Sequence, residues 1–562
     1  MSDLPITKIA VIGIGSAGLA QLKQAKDAFN RPQVASRTRL ELVGFESRDD
    51  VGGLWNYDPS PKPFTRKLLP DDSEGAGRAY LYPVRGQNPT PFYDNLRATL
   101  PHDLMSFRGF TFPENTPEIP WGLEVLKYLQ DYATEYDLRR YTRFNTRVER
   151  LYLTPNSDRP DKRRWTIHSS GPDGEKIEEF DFVSVNNGHY SDMWIPPTSG
   201  LSTFPGEILH SREYRRPTDY TGKTVLVVGS GNSGADIVRQ IASLNIGQYD
   251  EFGARLHRDQ DQTRSNSFTT VYQSSSGGPP RSGYNTGEEP WAKFIKSVPL
   301  IDHIDPPSSS SSPSSASHPS SASSSPPSSA RIHFQDNKHP PLDTVDTIIF
   351  ATGYYNSLPF CKASDEPWAS RQVLEETITL EEREGGDDWE TGGLKGLHMT
   401  GLDELLLFLE NDRSMAFPGL PYQIVPFPFS EVQARLAALL WAGLLPNFPS
   451  HPNPPPNPFL ENGYLTPPAT PPITIVEADD LPAARDSLPT TKLSQHPARI
   501  SERTRRELIF AVPYEWDYTQ YAFEIMKEAD GGDEIEGYWK QVEGWRKDRR
   551  RDTGLRKRLL GY

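Results

Sequence analysis

Two glycine-rich turns, each set between a short apolar run and a helix, constrain this chain more than any other feature. The first is Lys8-Ile9-Ala10-Val11-Ile12 followed by Gly13-Ile14-Gly15-Ser16-Ala17-Gly18. The second is Thr224-Val225-Leu226-Val227-Val228 followed by Gly229-Ser230-Gly231-Asn232-Ser233-Gly234, then Ala235 and Asp236. Apolar runs this short read as buried parallel strands. The helices are expected from near Ser16 to about Asn30, and through about Ser243. In such a turn the first glycine permits the tight bend, the second lets backbone approach a pyrophosphate, and the third lets helix pack on strand. The helix N-terminus then offers its amides and the positive end of its dipole to the phosphates. One such pattern is weak evidence; two, each between strand and helix, are hard to obtain by accident. The expected class is α/β, with two Rossmann-like dinucleotide-binding domains.

The segment after each turn points to the dinucleotide. Leu40–Phe45 reads as the second strand of the first domain and ends in Glu46, placed to accept hydrogen bonds from a ribose diol. Glu46 lies 28 residues beyond Gly18, against a usual spacing of about 20, so the loop near Arg31 to Arg39 must be long. In the second domain the corresponding strand is expected at Phe268–Tyr272. It leads into Gln273-Ser274-Ser275-Ser276-Gly277-Gly278, with no carboxylate. Hydroxyls of Ser274 and Ser275, with Arg281 nearby, could hold a 2′-phosphate, which favours NADP over NAD. Two dinucleotide sites on one chain suggest a flavoprotein that takes hydride from a nicotinamide.

Composition removes competing classes. The 562 residues hold 60 Lys+Arg against 75 Asp+Glu, a formal charge of −15, which argues against a phosphate-tracking nucleic-acid binder. The longest apolar stretch, Leu436 to Leu445, is too short to span a bilayer, and the N-terminus lacks a signal peptide's basic flank; the expectation is a cytoplasmic protein with no membrane span. Cys361 is the single cysteine, so no intrachain disulfide or CxxC redox pair exists. Residues 306–330 hold 15 Ser and 6 Pro, and residues 446–472 carry 11 Pro in 27 positions. With the stretch up to about residue 500, these read as disordered or extended surface-loop insertions, which cost little in closure entropy. No Ser/His/Asp triad or metal cluster stands out, so no metal is expected. His189 and His210 read as structural histidines near the domain junction. Ser430 and Gln433 read as a capping box ahead of a helix over Glu431–Gly443. The basic run from Arg546 to Arg551 reads as the solvated face of a terminal helix.

The order of the motifs resembles the flavin-containing monooxygenases, class B flavoprotein monooxygenases. Gly13–Gly18 is similar to their FAD turn, and Gly52-Gly53-Leu54-Trp55 to the GGLW run after the ribose-binding acid. Phe204–Arg215 fits their identifying pattern FxGxxxHxxx(Y/F)(K/R), with Tyr214-Arg215 where Baeyer–Villiger enzymes would have Trp-Pro. Gly229–Gly234 resembles the NADPH turn, and Ala351-Thr352-Gly353-Tyr354 the linker returning to the FAD domain. Smaller matches are Asn187–Tyr190, Ser414–Pro421 and Glu431–Arg435. The resemblance implies an FAD domain (1–190 and 345–562) interrupted by an NADPH domain (191–344). It further implies that NADPH reduces FAD, that O2 then gives a C4a-hydroperoxyflavin, and that a soft nitrogen or sulfur nucleophile of small size is oxygenated. FAD and NADPH are the implied cofactors. Flavin disulfide reductases share the two-turn plan but need a cysteine pair.

The chain departs from the family at one place. Leu96-Arg97-Ala98-Thr99, followed by Met105 and Phe107, keeps the spacing of the family's LxTN run but sets Thr99 where an Asn is usual. Ala98 and Thr99 are therefore candidate cofactor neighbours. A threonine hydroxyl has a shorter reach and fewer donors than an amide, so Thr99 is expected to leave the oxygenated flavin less well held. The competing readings are a flavin-binding interaction or regulatory protein and a largely uncoupled NADPH oxidase. Substrate identity is not written in these residues, and a homodimer is left open.

Overall fold

The computed structural model describes residues 4–61, 65–68, 79–82, 89–155, 163–246, 268–276, 290–307, 330–336, 338–375, 393–448, 506–510, 512–530 and 539–552. Arg281 and most of the two expected insertions lie outside the described residues. Two compact units emerge. One combines the chain up to Asn56 with Arg97–Ser191 and Tyr355–Asp552; the other combines Tyr57–Leu96 with Asp192–Tyr354.

The first unit is built on a six-stranded sheet in the order Phe408–Leu409, Asp412–Ala416, Phe182–Val185, Ile6–Ile12, Arg39–Phe45, Thr142–Arg143. All neighbours are parallel except the edge pair Phe408–Leu409 and Asp412–Ala416. Ile6–Ile12 and Arg39–Phe45 run in register from Ile6↔Arg39 to Ile12↔Phe45. Their C-terminal halves are buried, which is why they read as continuous apolar runs rather than alternating ones. Helix Ser16–Phe29 follows the first turn and buries Leu19, Leu22, Ala25 and Phe29. The long spacing before Glu46 has a local cause: a short helical turn, Pro32–Ala35, with proline at its first position, occupies the connection. An antiparallel ribbon of Arg147–Pro155, Arg163–Gly171 and Gly174–Phe180 adds Leu151, Trp165 and Phe180 to the same core.

The expected capping box is not formed. The C-terminal helix of this core begins earlier and spans Pro426–Trp441. Proline at its start needs no amide partner, so the true beginning carries no Ser/Thr signal. Ser430 sits one turn inside and donates its hydroxyl to the Pro426 carbonyl at 2.6 Å. Gln433 accepts the Gly419 N–H at 2.8 Å and donates to the Tyr518 hydroxyl at 3.0 Å. The basic helix Gly544–Arg551 is anchored rather than merely solvated. Arg549 pairs with Asp103 at 2.5 Å and Glu118 at 2.7 Å, and Arg546 donates to the Leu104 carbonyl at 3.0 Å.

The second unit has a five-stranded, wholly parallel sheet in the order Glu207–His210, Thr347–Phe350, Thr224–Val228, Thr270–Ser274, Ile295–Val298. Helix Asn232–Ser243 follows the second turn. The strand expected at Phe268–Tyr272 lies two residues later: Phe268 is exposed, while Gln273 and Ser274 are in the strand and buried. Both polar side chains are satisfied inside, Gln273 donating to the Gly229 carbonyl at 3.2 Å and Ser274 to the Pro299 carbonyl at 2.8 Å.

The domain limits also need correction. Residues 345–354 belong to the second unit because Thr347–Phe350 is an interior strand of its sheet, paired with Glu207–His210 on one side and Thr224–Val228 on the other. Residues 57–96 belong there too. Tyr93 donates to Asp236 at 2.7 Å. Arg212 donates to the Pro89 carbonyl at 2.7 Å, and Arg215 to the carbonyls of Asp58 and Thr90 at 3.1 Å each. Among the described residues no helix is long and apolar enough to cross a membrane.

Candidate functional site

The two glycine turns have the same distribution of free space. Gly13 has φ +87°, and a Cβ there would come within 2.5 Å of the Asn186 carbonyl oxygen; a Cβ on Gly18 would overlap the Gly13 carbonyl. At the second turn Gly229 has φ +116°, a Cβ there would run into the Ala351 carbonyl, and one on Gly234 into Gly229. The first and third glycines are therefore required by the protein itself. The middle ones are not. A Cβ on Gly15 would meet nothing closer than Gly53 Cα at 3.4 Å, an ordinary contact, and one on Gly231 meets nothing within 4 Å. Nothing among the described residues demands glycine at Gly15 or Gly231, and the open backbone there is a cradle that side chains would fill.

Both cradles sit at uncapped helix ends. Gly15 and Gly231 are the N-cap residues, neither helix has a side-chain cap, and neither has an acidic residue in its first turn. Gly15, Ser16 and Ala17 are partly exposed, as are Ser230, Ser233 and Ala235; Gly231 and Asn232 are exposed, while Gly18 and Gly234 are buried. The first-turn backbone and the positive dipole end thus lie toward the accessible side of each turn, an arrangement suited to an anion.

Around the first turn the expected partners converge. Glu46 directly follows its strand and is almost fully buried. Its Oε2 accepts the Ile14 N–H at 2.8 Å and its Oε1 the Arg48 N–H at 3.0 Å. The Ser47 hydroxyl also donates to Oε1, at 3.4 Å; a carboxylate has about four acceptor sites, so capacity for a diol remains at Oε2. Gly52 donates to the Ile14 carbonyl at 3.1 Å, opening the turn Gly53–Trp55 against the cradle; Leu54 and Trp55 are half-buried. Sequence reasoning gave no role to Gly419, yet a Cβ there would lie 3.3 Å from Ala17 Cβ and 2.7 Å from Ser430 Oγ. The only available signal was the glycine within Ser414–Pro421.

Other expected residues are placed differently. Asp236 lies a turn into its helix and faces the core, where its carboxylate accepts from Tyr93, Arg239 and Gln240. Ser274 is fully buried with its hydroxyl spent on Pro299, and Ser275 is buried beside it; of the three serines only Ser276 is exposed. Thr352 donates to the Trp194 carbonyl at 2.5 Å, so it holds the turn after the strand Thr347–Phe350. Ala98 is buried, with its N–H on the Pro120 carbonyl at 2.9 Å, and Thr99 is half-buried. Arg97 beside them lies over the Trp121 ring at 4.3 Å.

The segment Phe204–Arg215 proves to be a structural clamp. Gly206 leaves room for the Phe204 ring, 2.7 Å from where a Cβ would be. Tyr214 is completely buried and donates to Gln240 at 3.0 Å. His210 is fully buried; its Nδ1 accepts the Arg212 N–H at 3.2 Å and its Nε2 donates to the Gly353 carbonyl at 2.9 Å. Burial drives its pKa down to about 3, so it is a neutral strut near neutral pH. His189 is likewise driven down to about 4 by burial. Its ring packs on Tyr190 and Tyr422, and its Nδ1 has no hydrogen-bond partner among the described residues.

Comparison with known proteins finds relatives of one kind. Residues 84–246 match the family model described as flavin-binding monooxygenase-like. Flavin-containing monooxygenase FMO GS-OX5 of Arabidopsis thaliana is 34% identical over 245 residues, covering 42% of this chain and 47% of that protein. Flavin-containing monooxygenase FMO GS-OX-like 2 of the same plant is 26% identical over 77% of this chain and 74% of its own. The chain thus spans about half the length of the first of these relatives. Among solved structures, S-allyl-L-cysteine S-oxygenase from Allium sativum shares the fold with a TM-score of 0.51 at 22% identity, over 78% of each chain. Tmm from a Pelagibacter strain does so with a TM-score of 0.53 at 22% identity, over 79% of this chain and 77% of its own.

Proposed function

We propose that this chain, a relative of the flavin-containing monooxygenases, is an FAD- and NADPH-dependent monooxygenase that passes one oxygen atom of O2 to a soft nitrogen or sulfur nucleophile. The observation that carries this reading is the paired pattern of cramped first and third glycines around an open middle one. A turn that served only as a strand–helix joint would have no reason to keep Gly15 and Gly231 bare.

The open cradle at Gly15 would hold the FAD pyrophosphate through the amides of Ser16, Ala17 and Gly18, with Glu46 on the ribose. The cradle at Gly231 would hold the NADPH pyrophosphate through Asn232, Ser233 and Gly234. When bound, the flavin accepts hydride and activates O2, chemistry that no side chain can supply. The chain's own contribution is to position and to keep dry. His210 and His189 are held neutral, and both nitrogens of His210 are engaged, so it fixes the Gly353 turn rather than relaying protons. Selection of NADPH over NADH rests on the absence of a carboxylate after Thr270–Ser274; Ser276, rather than Ser274 or Ser275, is the hydroxyl free to meet a 2′-phosphate.

The experiment is NADPH oxidation by the FAD-loaded protein with a thioether and a tertiary amine under ¹⁸O2. Transfer of one labelled oxygen to sulfur or nitrogen, with NADPH favoured over NADH in kcat/KM, is expected. A protein that binds no flavin, or consumes NADPH without ever labelling a product, would contradict the assignment.

A further inference from the structure

The strands Ile301–Asp305 and Arg331–Phe334 pair antiparallel and are joined in the sequence by the Ser/Pro tract. Residues on their shared face are therefore distant in the chain and adjacent in space. His303 and Asp305 are two apart on one strand and so point to the same side. His333 is the cross-strand partner of His303. One nitrogen of each imidazole and one carboxylate oxygen of Asp305 lie within 4.8 Å of one another. His333 Nε2 is 2.8 Å from Asp305 Oδ2, and His303 Nε2 is 3.7 Å from Asp305 Oδ1.

The opposite edge of His303 is already fixed. Its Nδ1 lies 2.8 Å from Asp302 Oδ2. A proton held there, donated to the carboxylate, leaves the Nε2 lone pair on the side of Asp305. Histidines that ligate metals are commonly held in this way by a carboxylate on the far nitrogen, which sets the tautomer and raises ligand basicity. The two rings stack with centroids 4.3 Å apart and planes 7° from parallel, so each restricts the other's rotation. The His303, His333 and Asp305 side chains are 40%, 28% and 53% exposed; a hydrated cation can enter from solvent.

We propose that His303, Asp305 and His333 form a site for a divalent first-row transition cation, Zn²⁺ foremost, with water completing its coordination. Two imidazoles and one carboxylate suit Zn²⁺; Ca²⁺ and Mg²⁺ require more oxygen ligands. The ion ties together the two strands that the Ser/Pro tract joins in the sequence, and it acts independently of the flavin and nicotinamide turns. The sequence shows no metal cluster because the third ligand lies 28 residues beyond Asp305; a His-x-Asp pair within a strand is the only local signal. Arg331, the register partner of Asp305, opposes the cation and limits its affinity.

The test uses the full-length, untagged, chelator-treated protein. Calorimetric titration with Zn²⁺ is expected to give one saturable site per chain, and Co²⁺ to give the visible bands of a tetrahedral complex that Zn²⁺ displaces. His303→Ala, His333→Ala and Asp305→Asn should each weaken binding at least about tenfold, and Asp302→Asn by about 10-fold or more, with metal-free thermal unfolding unchanged. Should a single variant misfold, the same loss is sought in His333→Gln. Absence of stoichiometric Zn²⁺ binding, or wild-type affinity in the ligand variants, overturns the proposal.

Discussion

Replacing Gly231 and Gly234 by alanine, one at a time, should separate the needs of the fold from those of the coenzyme. Gly231 has φ −71° and ψ −175°, extended backbone open to any residue, and its added methyl meets no atom of the described residues within 4 Å. Folding stability in Gly231→Ala should match wild type or rise by about 0.4–1 kcal/mol, because the unfolded chain loses freedom. The bound dinucleotide meets the same methyl where its pyrophosphate must approach the helix amides. Loss of one charge-assisted hydrogen bond costs about 1.5–3 kcal/mol, which weakens NADP⁺ binding about 10- to 150-fold. Gly234→Ala does the reverse, since its methyl overlaps the Gly229 carbonyl. Overpacking of that kind costs about 1–3 kcal/mol of stability. Urea unfolding and calorimetric NADP⁺ titration on both variants read the two quantities separately. The reasoning is refuted if Gly231→Ala binds NADP⁺ as wild type does, or if it unfolds as readily as Gly234→Ala.

The other turn gives a parallel expectation: Gly15→Ala, whose methyl makes only an ordinary contact with Gly53, should release FAD on gel filtration while its circular dichroism stays native, and retention of one FAD per chain would contradict it. Acid stability follows from the histidines. Burial holds His210 near 3 and His189 near 4, below the unfolded value of about 6.5, so the unfolded chain binds more protons in that window. Stability should be intact above about pH 6.5 and fall on acidification by up to about 1.4 kcal/mol per pH unit for each histidine until the folded values are reached; urea midpoints against pH check this, and His210→Gln should flatten the slope. Peroxide released per NADPH consumed tests Thr99: wild type should leak more than Thr99→Asn, and a tightly coupled wild type that the Asn variant does not improve would remove Thr99 from the site.

The two strand–turn–helix units and Glu46 were legible because local backbone geometry dictates them. Gly13 and Gly229 need positive φ, Gly18 and Gly234 need the absence of a Cβ, and a buried parallel strand has to be apolar on both faces. Features that depended on distant partners were not legible. Asp236 looks like a turn residue until Tyr93 and Arg239 claim its carboxylate. Ser274 looks like a phosphate ligand until Pro299 takes its hydroxyl. Ser430 and Gln433 imitate a cap, but the helix starts at Pro426, where no cap chemistry is needed. Residues 57–96 join the second unit through buried arginines donating to backbone carbonyls, contacts without a sequence pattern. Gly419 and the His303–Asp305–His333 group come together only after folding.

The central claim is that one chain carries two dinucleotide sites serving a single redox reaction. Anaerobic titration of the FAD-loaded protein with NADPH, followed by the flavin absorbance, tests it most directly. The account predicts complete bleaching at one NADPH per flavin, slowed or abolished in Gly231→Ala at limiting coenzyme. A bound flavin that NADPH does not reduce, or reduction that is indifferent to Gly231, would contradict it.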